Sequence, residues 1–284
     1  MSLKNRAVIA SLKVLPQHWM SAAAGVVAGL PTPRPLRGAA YRAFGGVFGV
    51  DFDEVKEPLD SFSSLNAFFV RELKDGARPV DGAKDAVVSP CDGAWGACGT
   101  IADDTALQLK GRPYSVRMLL HDDEQARRFD GGTYATLYLS PRDYHRFHTP
   151  VEGDVVGLRY VPGALWPVNG AGLQFVDGLF TKNERIIAWL RPKDRPDELV
   201  AMVAVGATMV GKIQIAFDDL TTNVATPDTT VKTYEPPVHL HKGQEWGRFL
   251  FGSTIVLLAT KGALRLDAQP EGTKLRLGER IGTI

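Results

Sequence analysis

Three groups of side chains in this 284-residue chain could do chemistry together. The first is Gly252-Ser253, held between Phe251 and Thr254. A serine hydroxyl can add to the carbonyl of the residue before it and exchange the amide for an ester. Elimination of the Gly252 carboxylate then breaks the chain and leaves dehydroalanine, which hydrolyses to a pyruvoyl group and ammonia. Glycine before the serine tolerates strained backbone and leaves the carbonyl unobstructed. The hydroxyl needs a base, best supplied by a histidine that a carboxylate orients. Two of the six histidines, His145 and His148, lie between Pro141 and Pro150, which predicts a rigid loop at a strand end. The carboxylate candidate is Asp92, in Ser89-Pro90-Cys91-Asp92-Gly93. Taken alone, these segments also read as a tight turn, a loop of surface histidines and a Pro-Asp-Gly turn. A serine hydrolase that keeps Ser253 intact would use the same residue types. Histidines three apart can ligate a metal, but no Cys or Glu set completes a site around them, so no metal is expected.

The elements that must position these residues fall into two textures. Residues 3–30 read as helical with a break at Pro16, and a second helix is predicted over 36–48. Ser63 or Ser64 suits the N-cap of a helix through Leu65–Leu73. From about residue 78 the chain turns to short apolar segments separated by Gly, Pro and Asp. Strands are predicted at Tyr134–Leu139, Val155–Val161, Glu184–Leu190, Leu199–Val210, Lys212–Phe217 and Thr254–Thr260. One helix, Ser115 to Phe129 with Ser115 as its cap, is expected among them.

Residues 1–50 contain six basic side chains and no acidic one, leaving 27 basic against 32 acidic residues, a net −5, in the remainder. A basic, apolar-rich arm on an acidic body predicts contact with an anionic surface. The longest uncharged apolar run, Trp19 to Leu30, has 12 residues, short of the roughly 20 that span a bilayer. An acid-poor, Arg-containing start also fits a mitochondrial transit peptide. The overall charge of +1 gives no reason to expect nucleic acid. Cys91 and Cys98 match no zinc or redox spacing and suit a reducing compartment.

In order along the chain, the segments Leu65–Leu73, Arg78-Pro79, Ser89–Gly93, Tyr138–His148, Tyr160–Leu165, Asn183–Arg185, Val205–Gly211, Lys242–Phe249 and Gly252-Ser253-Thr254 resemble phosphatidylserine decarboxylases. The resemblance covers about residues 60–260, and Cys91 and Phe251 depart from it conservatively. It implies an α+β fold: a mainly antiparallel β core, residues 61–284, preceded by membrane-associating helices in residues 1–60. It implies that Ser253 becomes a covalent pyruvoyl cofactor by a cut after Gly252, and that Asp92 and His148 are its partners in cleavage. His145 would be the general acid of decarboxylation, and Tyr138 a substrate-binding residue. The pyruvoyl carbonyl would form a Schiff base with the amine of phosphatidylserine and draw electrons as carbon dioxide leaves. The resemblance further implies fragments 1–252 and 253–284 held together without a covalent bond, a homodimer, and a peripheral place on the cytoplasmic face of the cell membrane or on the mitochondrial inner membrane. Other readings are a pyruvoyl enzyme for a different amine and a non-catalytic membrane module with a lipoyl-like β core.

Overall fold

The computed structural model describes residues 17–108, 111–168, 170–208, 212–223, 228–250 and 254–284. The predicted break at Pro16, the end of the 199–210 segment and Gly252-Ser253 itself lie outside them. Two helices come first, Gln17–Gly29 and Arg34–Phe48. The second has Pro35 in its first turn, where a missing N–H costs nothing. It stops at Gly49, whose left-handed backbone returns its N–H to the Gly45 carbonyl. Ser64 caps the next helix, Leu65–Phe69, by accepting from the Ala67 N–H at 3.2 Å. This helix is shorter than predicted, and its C-terminal continuation forms a bridge between Leu73 and Val55.

The expected helix over 115–129 is two short ones, Val116–Leu120 and Asp123–Arg127. Ser115 caps the first as predicted, accepting from Met118 N at 3.1 Å. The break arises because Asp122 takes an extended backbone and accepts from the Gln125 N–H at 3.0 Å, starting a new helix.

Apart from two more short helices, Gly170–Phe175 and Leu179–Lys182, the regular structure that remains is antiparallel sheet. Eight strands lie in the order Thr230–Leu240, Gly153–Val161, Arg185–Pro192, Val200–Val205, Thr254–Ala259, Thr133–Tyr138, Gly93–Thr100 and Lys274–Leu275. A smaller sheet sets Glu245–Phe249 between Ile213–Ile215 and Arg146–His148. The strand Thr254–Ala259 is buried at every position, because the large sheet has a core on each face. Ile255 and Leu257 point into one core and Val256 and Leu258 into the other, following the two-residue pleat. That explains a continuous apolar run where a half-exposed strand would alternate. The edge strand Thr230–Leu240 was not predicted; most of its side chains are exposed or half-buried, and it contains Pro236 and Pro237.

The helical arm joins this body through aromatic packing. Tyr41 stacks on Phe68 with centroids 5.2 Å apart, and its hydroxyl donates to the Phe62 carbonyl. Val50, Val55 and Phe62 complete the cluster. Truncating the fully buried Phe68 to alanine removes the centre of this contact. Phe68→Ala is expected to cost about 3–5 kcal/mol, as for other large-to-small core changes, measured by urea unfolding.

Candidate active site

Asp92 sits in a tight corner between two sheets. Val88 N bonds the Pro150 carbonyl and His148 N the Pro90 carbonyl, so the Asp92 loop and the histidine strand run side by side. Gly93 follows because a β-carbon there would lie 2.5 Å from the Tyr138 carbonyl oxygen. The Asp92 carboxylate accepts from Arg78 Nε at 2.8 and 3.0 Å, from Arg78 Nη2 at 2.6 Å, and from the Leu277 N–H at 2.8 Å. Arg78 Nη2 also reaches Glu54 at 2.8 Å. Burial works against the Arg78 charge, but its bonds to Asp92 and Glu54 outweigh this and hold it protonated. The same Arg78 bond lowers the Glu54 carboxyl below its ordinary value.

His148 is therefore not steered as the sequence suggested. Its Nδ1 lies 2.9 Å from the Gly243 carbonyl, and the Asp92 bonds go to Arg78 and Leu277 instead. Gly243 can present that carbonyl because it takes a left-handed backbone, φ +74°, in the turn before Glu245–Phe249. A carbonyl only accepts, so Nδ1 carries the hydrogen of the neutral ring and Nε2 keeps a lone pair. That Nε2 is buried and has no hydrogen-bond partner among the described residues. Burial lowers the His148 pKa, against the raising effects of the Gly243 bond and of Glu245 and Asp92.

His145 repeats the arrangement. Its Nδ1 meets the Asp143 carbonyl at 2.7 Å, and its buried Nε2 is without a partner among the described residues. The loop before it is rigid: Asp143 Oδ2 accepts from both the N–H and the hydroxyl of Ser140, at 2.6 and 2.7 Å. Arg71 Nη2 donates to the Arg142 carbonyl at 2.9 Å and the Asp143 carbonyl at 3.3 Å. The ring lies against Phe69, centroids 4.1 Å apart. Burial, and after it the Arg71 charge, push the His145 pKa down to about 3.

Arg71 is itself buried, and its Nε and Nη1 have no hydrogen-bond partner among the described residues. Burial lowers its pKa to about 10, so it stays charged near neutrality. It faces a cavity of about 340 Å³ that Asp92, Arg78, Tyr138, Tyr144 and Lys274 also line. Neither His145 nor His148 is among the described lining residues; Tyr138, Ser140, Arg142, Asp143 and Tyr144, which precede them in the chain, are. Sequence reasoning gave no role to Arg71, Arg78 or the Gly243 carbonyl. The two arginines stood inside matched segments, but nothing local marks which carboxylate or carbonyl they meet.

The described residues on either side of 251–253 converge on the same place. Phe249 N donates to the His145 carbonyl at 2.9 Å. Thr254 pairs with Tyr138 on one side and Val205 on the other, and its buried Oγ1 has no hydrogen-bond partner among the described residues. It joins the two imidazole Nε2 atoms as a third buried polar atom of this region without such a partner.

The family described as phosphatidylserine decarboxylase matches residues 65–283. A phosphatidylserine decarboxylase proenzyme of Anaeromyxobacter sp. (strain K) is 42% identical over 283 residues, covering 99% of this chain and 99% of the relative. Relatives of the same description in Myxococcus xanthus and Brevibacillus brevis are 41% and 37% identical, with 96% and 95% of each chain covered.

The buried His145 has a consequence for stability. The unfolded chain takes up a proton on this ring near pH 6.5, whereas the folded chain excludes it until about pH 3. The unfolded state therefore binds more protons between these values, and stability falls as pH drops through that window. Replacing His145 with Gln is expected to flatten that part of the pH dependence, seen in denaturant titrations at pH 7 and pH 5.

Proposed function

Because the chain belongs to the phosphatidylserine decarboxylase family, we propose that it converts phosphatidylserine to phosphatidylethanolamine and carbon dioxide, using a pyruvoyl group that it makes from Ser253. The observation that carries this reading is the pair of buried imidazoles, each with Nδ1 tied to a carbonyl and Nε2 left as a lone pair. That is the state a general base requires. For self-cleavage, His148 Nε2 takes the proton of the Ser253 hydroxyl as the oxygen adds to the Gly252 carbonyl. Asp92 acts through its negative charge, which favours the imidazolium, without orienting the ring.

Once present, the pyruvoyl carbonyl supplies the electron sink for loss of the carboxylate. His145 cannot begin as an acid, since its free Nε2 carries no proton and burial disfavours a second one. It delivers a proton only after accepting one, and the substrate ammonium is the source at hand. Arg71, with two N–H groups to spare beside the cavity, suits the phosphate or the carboxylate of the headgroup. Tyr138 lines the same cavity, which supports a substrate-binding role for it.

Access to lipid would come from the arm. Val26, Val27, Leu30, Leu36, Val47 and Phe48 are all exposed there, in a segment whose charges are all basic. This pattern suits helices lying in the interface of an anionic membrane. Among the described residues no helix is long and apolar enough to cross one. Tyr41 belongs to the core, so deleting residues 1–50 would damage more than an anchor. Val26→Ser, Val27→Ser and Val47→Ser in combination should instead weaken flotation with phosphatidylserine vesicles and leave self-cleavage intact. Equal recovery of wild type and variant with the lipid would rule the arm out as the anchor.

Intact mass under denaturing conditions tests the cofactor. Active protein should give a piece ending at Gly252 and a second of 32 residues with a blocked start. Ser253→Ala should stay whole and make no phosphatidylethanolamine; turnover by that variant would sink the mechanism. His148→Ala should also stay whole. His145→Ala should be cut yet decarboxylate roughly 10²–10⁴-fold more slowly.

A further inference from the structure

Away from this site, two strand ends bring together a second set of donor atoms. His239 and His241 flank Leu240, the last residue of Thr230–Leu240. The register pairs Asp154 with His239 and Gly153 with Leu240, so Glu152 comes opposite His241. Side chains alternate across a sheet, which puts Glu152, Asp154, His239 and His241 on one face and the buried Leu240 on the other. One ligand atom from each of Glu152, His239 and His241 lies within 4.8 Å of the others.

The geometry at His239 is specific. Its Nδ1 is 2.8 Å from Asp154 Oδ1 and its Nε2 is 3.5 Å from Glu152 Oε1. With Nδ1–H donated to the carboxylate of Asp154, Nε2 of the neutral ring presents a lone pair towards the Glu152 oxygen. Two lone pairs at that separation make no hydrogen bond, but they can share a cation. Two ligands each about 2.1 Å from one tetrahedral ion are about 3.4 Å apart. A carboxylate on the outer nitrogen of a ligating histidine is also the usual device for fixing its tautomer. The His241 ring stands 5.1 Å from that of His239 and nearly perpendicular to it, at 83°. It is exposed, so a small rotation brings its nitrogen to the same point. Lys193 now bonds Glu152 Oε1 at 2.8 Å, and being mostly exposed it can give way.

We propose that Glu152, His239 and His241 form a binding site for a divalent ion of the zinc type, with Asp154 positioning His239 and water completing the coordination. The site is separate from the catalytic histidines, but it grips the turn that sets one of them. The His241 carbonyl accepts from Thr149 Oγ1 at 2.6 Å, and two residues later the Gly243 carbonyl holds His148 Nδ1. A bound ion would tie the Glu152 end of the neighbouring strand to that turn.

The test is calorimetric titration of Zn²⁺ into metal-stripped, tag-free full-length protein. One ion per chain is expected, with a rise in Tm on saturation as binding to the native state requires. His239→Ala and His241→Ala should each weaken binding at least tenfold and remove the Tm rise. Asp154→Asn, which leaves all three ligands, should weaken it by about 10–100-fold. Cys98→Ala should bind as wild type does, which separates this site from a surface thiol. Absence of stoichiometric binding, or equal affinity in the His239→Ala/His241→Ala double variant, would overturn the proposal. The metal-free Tm of each variant shows whether its fold is intact; should an alanine variant be unfolded, Glu152→Gln decides in its place.

Discussion

The constraint on which the rest of the molecule depends is the two-sided pairing of Thr254–Ala259. Every residue of this strand is in register with Thr133–Tyr138 on one side and Val200–Val205 on the other. Its four large aliphatic side chains fill both cores, each contributing about 1.5–3 kcal/mol of burial. A chain cut between Gly252 and Ser253 would therefore keep the strand that follows its new end in place. Other parts of the 253–284 stretch add to this: Arg280–Thr283 pairs with Ala86–Val88, and Lys274–Leu275 with Gly93-Ala94. The same Gly93-Ala94 backbone follows Asp92, so the two pieces of a cleaved chain would meet at one corner.

Within that corner, charge is settled before any substrate arrives. Arg78 is neutralised by Asp92 and Glu54, and its position is fixed by both. The imidazoles are oriented by backbone carbonyls, which fix a tautomer while adding no full charge. Burial keeps both rings neutral, so each Nε2 presents a lone pair in an environment with little competing water. Arg71 is the exception. It is a buried cation whose bonds go only to carbonyls, with two N–H groups unspent. A buried charge with unused donors is costly on its own, and an anionic headgroup would repay that cost.

Much of this was legible from residue types alone. The caps at Ser64 and Ser115, the helix expected over 36–48 and six of the sheet strands follow from local propensity and apolar pattern, which neighbouring residues carry within themselves. The strand Thr230–Leu240 escaped because an edge strand with two prolines and few buried side chains lacks the apolar signal of a core strand. The single helix expected after Ser115 was divided by Asp122, a residue whose side chain caps as readily as it continues a turn.

The sequence by itself determined which groups are present: the Gly252-Ser253 peptide, His145, His148, Asp92, and a basic, apolar-rich arm. Only the tertiary structure decided what each group is able to do. Arg78 meets Asp92 across 14 residues, and His148 meets Gly243 across 95. Proton affinity depends on burial and on the charge and lone pairs within a few ångströms, and a folded chain draws those from distant segments. The identity of a histidine is a local fact. Whether its Nε2 holds a proton depends on the carbonyl at its other nitrogen and on the walls that exclude water.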